Sequence, residues 1–273
     1  MKLTDEMILK SKVEGKVKGF IILDENYIVI QDAVQDIIEK TQRLRNKDVN
    51  YCGPIDCREV DGTSYALEHR APGKEINHSD RLCDTDVNNA NEYISIFSQY
   101  MSELKKLSLI PQKQYLKFFD DIEELRKEKL KPDCCSLGNL FYDKNVGFSF
   151  IDVYPIVTGA PERLSIQNIF YILLNRRFSL PIDGERLSVI PASFQKEYDT
   201  YISDIFTKIL IGLRQYGYPQ DEIKQYIASN RYTFTGNDCL TPEEIQHRID
   251  KLLQEHEHAQ VQNSGYGISL DMF

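Results

Sequence analysis

An amide and a carboxylate stand thirteen residues apart in this chain, at the two ends of the run Asn139-Leu140-Phe141-Tyr142-Asp143-Lys144-Asn145-Val146-Gly147-Phe148-Ser149-Phe150-Ile151-Asp152. Residues 140–142 and 148–151 read as strands, and the turn formers of 143–146 join them, so Asn139 and Asp152 flank the open end of a tight hairpin. Alternation in the second strand points Phe148 and Phe150 to one face. Two hard oxygen donors placed this way make a pocket of the kind that holds Mg²⁺ against nucleotide phosphates. Asn and Asp also cap turns and loops, and that purely structural role competes with the metal one.

The elements that must position this hairpin follow from periodicity. Residues 16–23 and 27–31 read as strands around the polar turn Asp24-Glu25-Asn26. From Asp32, an available N-cap, the period becomes helical, with Val34, Ile37, Ile38, Thr41 and Leu44 on one face until about Asn46. A second hairpin pairs 55–60 with 64–68 around Asp61-Gly62, a dipeptide strongly associated with tight turns. His69-Arg70-Ala71-Pro72-Gly73 then breaks the sheet.

Beyond a polar stretch over 77–89 the chain becomes mainly helical. Residues 92–107 carry a broad apolar stripe, and Pro111 opens a helix whose charged end covers 123–129. After the hairpin, helices are predicted over 166–174, 192–216, 220–228 and 242–257. The last of these carries a capping box, with Thr241 as N-cap, Pro242 at the first helical position and Glu244 at the third. The expected fold is α+β: a small β-rich lobe over 1–73 with one helix, and a helical lobe over 74–262 that carries the hairpin region 133–152. Residues 263–273 read as a flexible tail.

Composition narrows the class. The chain has 273 residues, 41% apolar and 27% charged, within the range of globular proteins large enough for two lobes. A net charge of −9 without a clustered basic face argues against nucleic acid as a partner. The start lacks a signal-peptide core, and no stretch approaches the roughly 20 apolar residues of a membrane span, so the chain reads as cytoplasmic with no membrane partner. Its six cysteines read as reduced thiols, and Cys52-x4-Cys57 has no second Cys or His pair at the spacing of a zinc finger. Cys134 and Cys135 raise a nucleophile reading, with Lys129 or Lys131 as the cationic neighbour, against a default of buried structural thiols.

This order of elements resembles the protein-kinase-like fold, a bilobal arrangement, and most of all its small-molecule branch of aminoglycoside, choline and fructosamine phosphotransferases. Four stretches carry the resemblance: the hairpin 17–31, the strand-to-linker run 65–73, the loop 133–139 and Ser149-Phe150-Ile151-Asp152. Together they imply coverage of about 11–255. The resemblance implies that Asn139 and Asp152 ligate Mg²⁺ between the phosphates of ATP, while Glu68, His69 and Arg70 present backbone amide groups to adenine. Such a site transfers a phosphoryl group to a hydroxyl of a small molecule or protein.

The chain departs from that pattern at two points. The Asp that serves as general base in the family stands five residues before the metal-binding Asn, where this chain has Cys134, so the candidate base is Asp133, one residue earlier. The loop also lacks the family's opening His. The phosphate-pairing Lys of the third strand is likewise absent: Gln31 lies in that region, leaving Lys16 and Lys18 as candidate replacements and Glu39 as a candidate partner. These lysines also fit a solvated edge strand. Gly15 and Gly19 add only a weak phosphate-loop signal. Both departures point to an alternative, a pseudokinase that keeps the fold as a binding or regulatory module without chemistry. A third reading takes the hairpin as structural in an interaction protein.

Overall fold

Asp61 and Gly62 adopt left-handed backbone, with φ of +51° and +70°, as a two-residue hairpin of matched twist requires. They join β3 (Pro54–Val60) to β4 (Thr63–His69). In the computed structural model, the described residues are 2–14, 20–23, 26–30, 35–76, 87–132, 139–159, 161, 163–174, 180–182, 185–187, 189–229 and 239–264. Two further strands, β1 (Phe20–Leu23) and β2 (Asn26–Ile30), complete a four-stranded antiparallel sheet in the order β1-β2-β4-β3. Helix α2 (Gln35–Asn46) lies between β2 and β3 in the chain and packs on β3. The expected N-cap, Asp32, falls outside the described residues.

A helix not expected from periodicity, α1 (Asp5–Glu14), precedes this sheet. Three of its four apolar residues, Met7, Ile8 and Leu9, are consecutive rather than spaced by turns, and with Val13 alone a turn away they carry little helical signal. Packing fixes it instead. Leu3 and Ile8 enter a core with Ile28, Tyr65 and Leu67, the Leu3 N–H donates to Asp56 Oδ2 at 2.6 Å, and Asp5 pairs with Arg58.

The remaining elements are β5 (Lys74–Glu75), α3 (Ala90–Leu109), α4 (Gln112–Lys127), β6 (Leu130–Pro132), β7 (Leu140–Asp143), β8 (Gly147–Phe150), β9 (Val153–Pro155) and α5 (Ile166–Leu174). The short β10 (Leu180–Ile182), β11 (Glu185–Leu187) and β12 (Ile190–Pro191) lead to α6 (Gln195–Gln215), α7 (Gln220–Ser229), β13 (Cys239–Leu240) and α8 (Pro242–Ser264). The fold is therefore mixed α+β with small, mainly antiparallel sheets, β12 and β13 being the parallel pair. None of the described helices is long and apolar enough to cross a membrane.

Chain contacts divide the molecule into two interleaved units. One comprises Met1–Ile76, Ile110–Ile172 and Ile211–Tyr218, and the other Asn77–Leu109, Leu173–Leu210 and Pro219–Phe273. The division drawn at residue 73 from composition does not coincide with these units, because the hairpin region shares its unit with the N-terminal sheet.

Within the second unit, the stripe on α3 is buried as its pattern requires, and Phe97 meets the rings of Phe194 and Tyr198 at 5.5 and 6.4 Å. The capping box at α8 forms in both directions: Thr241 N–H donates to Glu244 Oε2 at 2.8 Å, and Glu244 N–H donates to Thr241 Oγ1 at 3.3 Å. That helix extends to Ser264, past the expected end, and 265–273 lie outside the described residues.

Candidate functional site

The hairpin over β7 and β8 forms as expected, with Leu140 opposite Phe150 and Asp143 opposite Gly147. Its turn is set by Asp143, whose Oδ1 accepts from the N–H groups of Asn145 at 2.8 Å and Val146 at 3.2 Å. Gly147 follows at φ +98°, a conformation suited to glycine. Phe148 and Phe150 share one face, as alternation requires, and both pack on Phe118 of α4, with ring centroids 5.6 and 5.3 Å away.

Two ladders gather the ends of the segments that bear the candidate residues. Asn139 C=O accepts from Ile151 N–H at 3.1 Å, so the hairpin pairing continues past β7 to the residue next to Asp152. β6 pairs antiparallel with β9, with Pro132 opposite Val153 on the other side of Asp152. Pro132 and Asn139 are therefore both anchored next to Asp152, one opposite Val153 and the other by its bond from Ile151. Asn139 is buried and Asp152 exposed. Asp133, Cys134 and Cys135 lie outside the described residues, as do Lys16, Lys18 and Gln31.

Among the described residues, no group of three or more His, Cys, Asp and Glu side chains could hold a metal ion. An amide and a carboxylate oxygen complemented by phosphate oxygens need no such group.

Tyr51 links this end of the hairpin to the sheet. The tyrosine is buried near Thr41 of α2. Burial first, and then the charges of Glu68 and Asp152, hold its phenol well above the usual range. Glu68 and Asp152 thus act electrostatically on the same phenol. The neighbouring Cys52 thiol is pushed up to about 12 by burial and by Glu68, against the opposing charge of Arg45. It is an inert, protonated thiol at neutral pH.

Glu68 and His69 end β4. Glu68 is flanked by Tyr27 of β2 on one side and Pro54 of β3 on the other, whereas Arg70 lies beyond the ladder and is exposed. The linker then turns through Gly73 at φ +84° and joins β7 through β5, with Lys74 opposite Tyr142. Ile76 N–H donates to Leu140 C=O at 3.0 Å, so the linker is tied to the strand that follows Asn139.

No protein-family model matches the chain, and no curated protein matches it. The site is therefore read from its own residues.

The α2–β3 connection, which periodicity left without a role, is bound to the hairpin. Cys52 N–H donates to Phe150 C=O at 2.8 Å, Phe150 N–H donates to Asn50 C=O at 2.9 Å, and Asn50 Nδ2 donates to Val146 C=O at 3.0 Å. Asp121 of α4 secures the same connection from beneath. Only 1% exposed, it accepts from Lys117 Nζ at 2.5 Å, while Lys117 also donates to Asp48 C=O at 2.5 Å.

The second Asp121 oxygen is buried without a hydrogen-bond partner. Burial pushes its carboxyl up to about 6, against the pull of Lys117. A carboxyl raised on folding favours the protonated form, so its contribution to stability is fully present below the unfolded value, near 4, and is lost as pH rises through about 6. Asp121→Asn is expected to remove this dependence, which amounts to about 3 kcal/mol at most between pH 4 and 7. Urea unfolding of the native chain and the variant across that range checks it, and parallel pH profiles would refute it.

Proposed function

We propose that the chain is a phosphotransferase of the protein-kinase-like kind that binds Mg-ATP and phosphorylates a hydroxyl. The observation that supports this reading is the pair of ladders on either side of Asp152, one bonding Asn139 to Ile151 and the other setting Pro132 opposite Val153. The sheet order β1-β2-β4-β3, with one helix between β2 and β3, supports the same reading. An amide oxygen and a carboxylate oxygen suit Mg²⁺, so Asn139 and Asp152 are the residues that would hold it. When bound, the ion would neutralise charge on the phosphates. The linker at Glu68, His69 and Arg70 would meet adenine, and Lys16 or Lys18 would pair with phosphate. Asp133 would take the proton from the acceptor hydroxyl.

A second reading, a pseudokinase that binds nucleotide without turnover, is favoured by Cys134 at the position of the family's base and by uncharged Gln31. One set of measurements separates the two. Mg-ATP at 100 times its Kd is expected to stabilise the chain by about 2.7 kcal/mol, read as a rise in Tm. Asp152→Ala should abolish that rise, and phosphoryl transfer should require Asp133. A rise without any transfer supports the pseudokinase. If ATP, ADP and GTP cause no rise with either Mg²⁺ or Mn²⁺, both readings fail.

A further inference from the structure

A groove of about 740 Å³ runs between the α2–β3 connection, the linker and the hairpin, within the first unit. Its lining includes Arg45, Asp48, Tyr51, His69, Arg70 and Ser149, but neither Asn139 nor Asp152. We propose that this groove binds a small phosphorylated molecule, with Arg45 and Arg70 holding the phosphate and the Ser149 hydroxyl meeting the ligand from the wall.

Three observations support the assignment. Ser149 is 1% exposed, and its Oγ has no hydrogen-bond partner. A buried hydroxyl left this way in a cavity wall is a group that a ligand satisfies. Arg45 and Arg70 are exposed and form no ion pair among the described residues, whereas Arg43, on the same helix as Arg45, is held by Glu128 at 2.9 Å. The groove lining therefore includes two arginines and a serine, against the single carboxylate of Asp48.

A phosphate monoester carries three terminal oxygens and a charge near −2, so it can engage two guanidinium groups and a hydroxyl at once, where a carboxylate has only two oxygens. The volume leaves room for a sugar-sized body beyond the phosphate. An occupant would touch both the α2–β3 connection and the linker, two segments separately bonded to the hairpin. The proposal does not depend on the nucleotide reading.

The test uses the full chain with inorganic phosphate and glycerol 3-phosphate as probes, against sodium chloride of equal ionic strength. Each probe is expected to raise Tm saturably, with glycerol 3-phosphate acting at the lower concentration. The Arg45→Ala, Arg70→Ala double variant should lose the rise, and Ser149→Ala should weaken binding on the order of tenfold. Both arginines are exposed, so that double variant tests the groove without disturbing the core. Asp152→Ala should keep the rise, which distinguishes this groove from the proposed metal site. No rise above the salt control, or an unchanged rise in the double variant, overturns the proposal.

Discussion

Phe118→Ala is expected to lower stability by about 3–5 kcal/mol, the range for removing a large buried aromatic side chain. Phe118 is fully buried, and its ring meets Phe119, Phe148 and Phe150 at 5.6, 5.6 and 5.3 Å. With Tyr115, whose ring lies 5.4 Å from that of Phe148, it forms the face of α4 that supports the hairpin. Removing it leaves a void under both phenylalanines of β8, which the surrounding side chains can fill only in part. Urea unfolding measures the loss. A cost below about 1 kcal/mol would mean that the hairpin is not held by this face.

Gly73→Ala is the second large effect. A Cβ at Gly73 would stand 2.0 Å from the carbonyl oxygen of Tyr142, and its φ of +84° disfavours any side chain. Backbone cannot rotate away as a side chain can, so the linker must lift from β7. The expected cost is about 3 kcal/mol, the sum of a left-handed penalty and a weakened β5–β7 pairing. Gly62→Ala is the control: it shares a positive φ but meets nothing within 4 Å, so it should cost only about 1 kcal/mol. Equal costs at the two positions, measured by the same unfolding, would refute the steric account.

Much of this architecture could be read from residue order. The hairpin around Asp61-Gly62, the apolar stripe of α3, the capping box of α8 and the two-faced alternation of β8 rest on local rules that the neighbouring sequence satisfies unaided. Other features depend on what lies across the fold. Leu130–Pro132 and Val153–Pro155 are too short to show an alternation of their own, yet their pairing is what sets Pro132 opposite Val153, next to Asp152. Asp121 stands beside Asp120 in a strongly charged helix, and only packing distinguishes the buried carboxylate from its exposed neighbour.

The candidate pair itself was legible as a spacing. Tyr51, on whose phenol Asp152 and Glu68 both act, comes from another segment and shares no motif with the pair. Ser149 was visible only as a strand residue between two phenylalanines, and its lack of a partner is a property of the folded state.

The interleaving of the two units bears on biosynthesis. Met1–Ile76 leaves the ribosome well before the strands that complete its unit, since β7 and β8 end only at Phe150. At 5–20 residues per second, that interval is on the order of 4–15 s. Throughout it, the nascent segment lacks the β8 partner of Asn50 and Cys52 and the β7 partner of Lys74 and Glu75, leaving unsatisfied amides open to chaperones or to a neighbouring nascent chain.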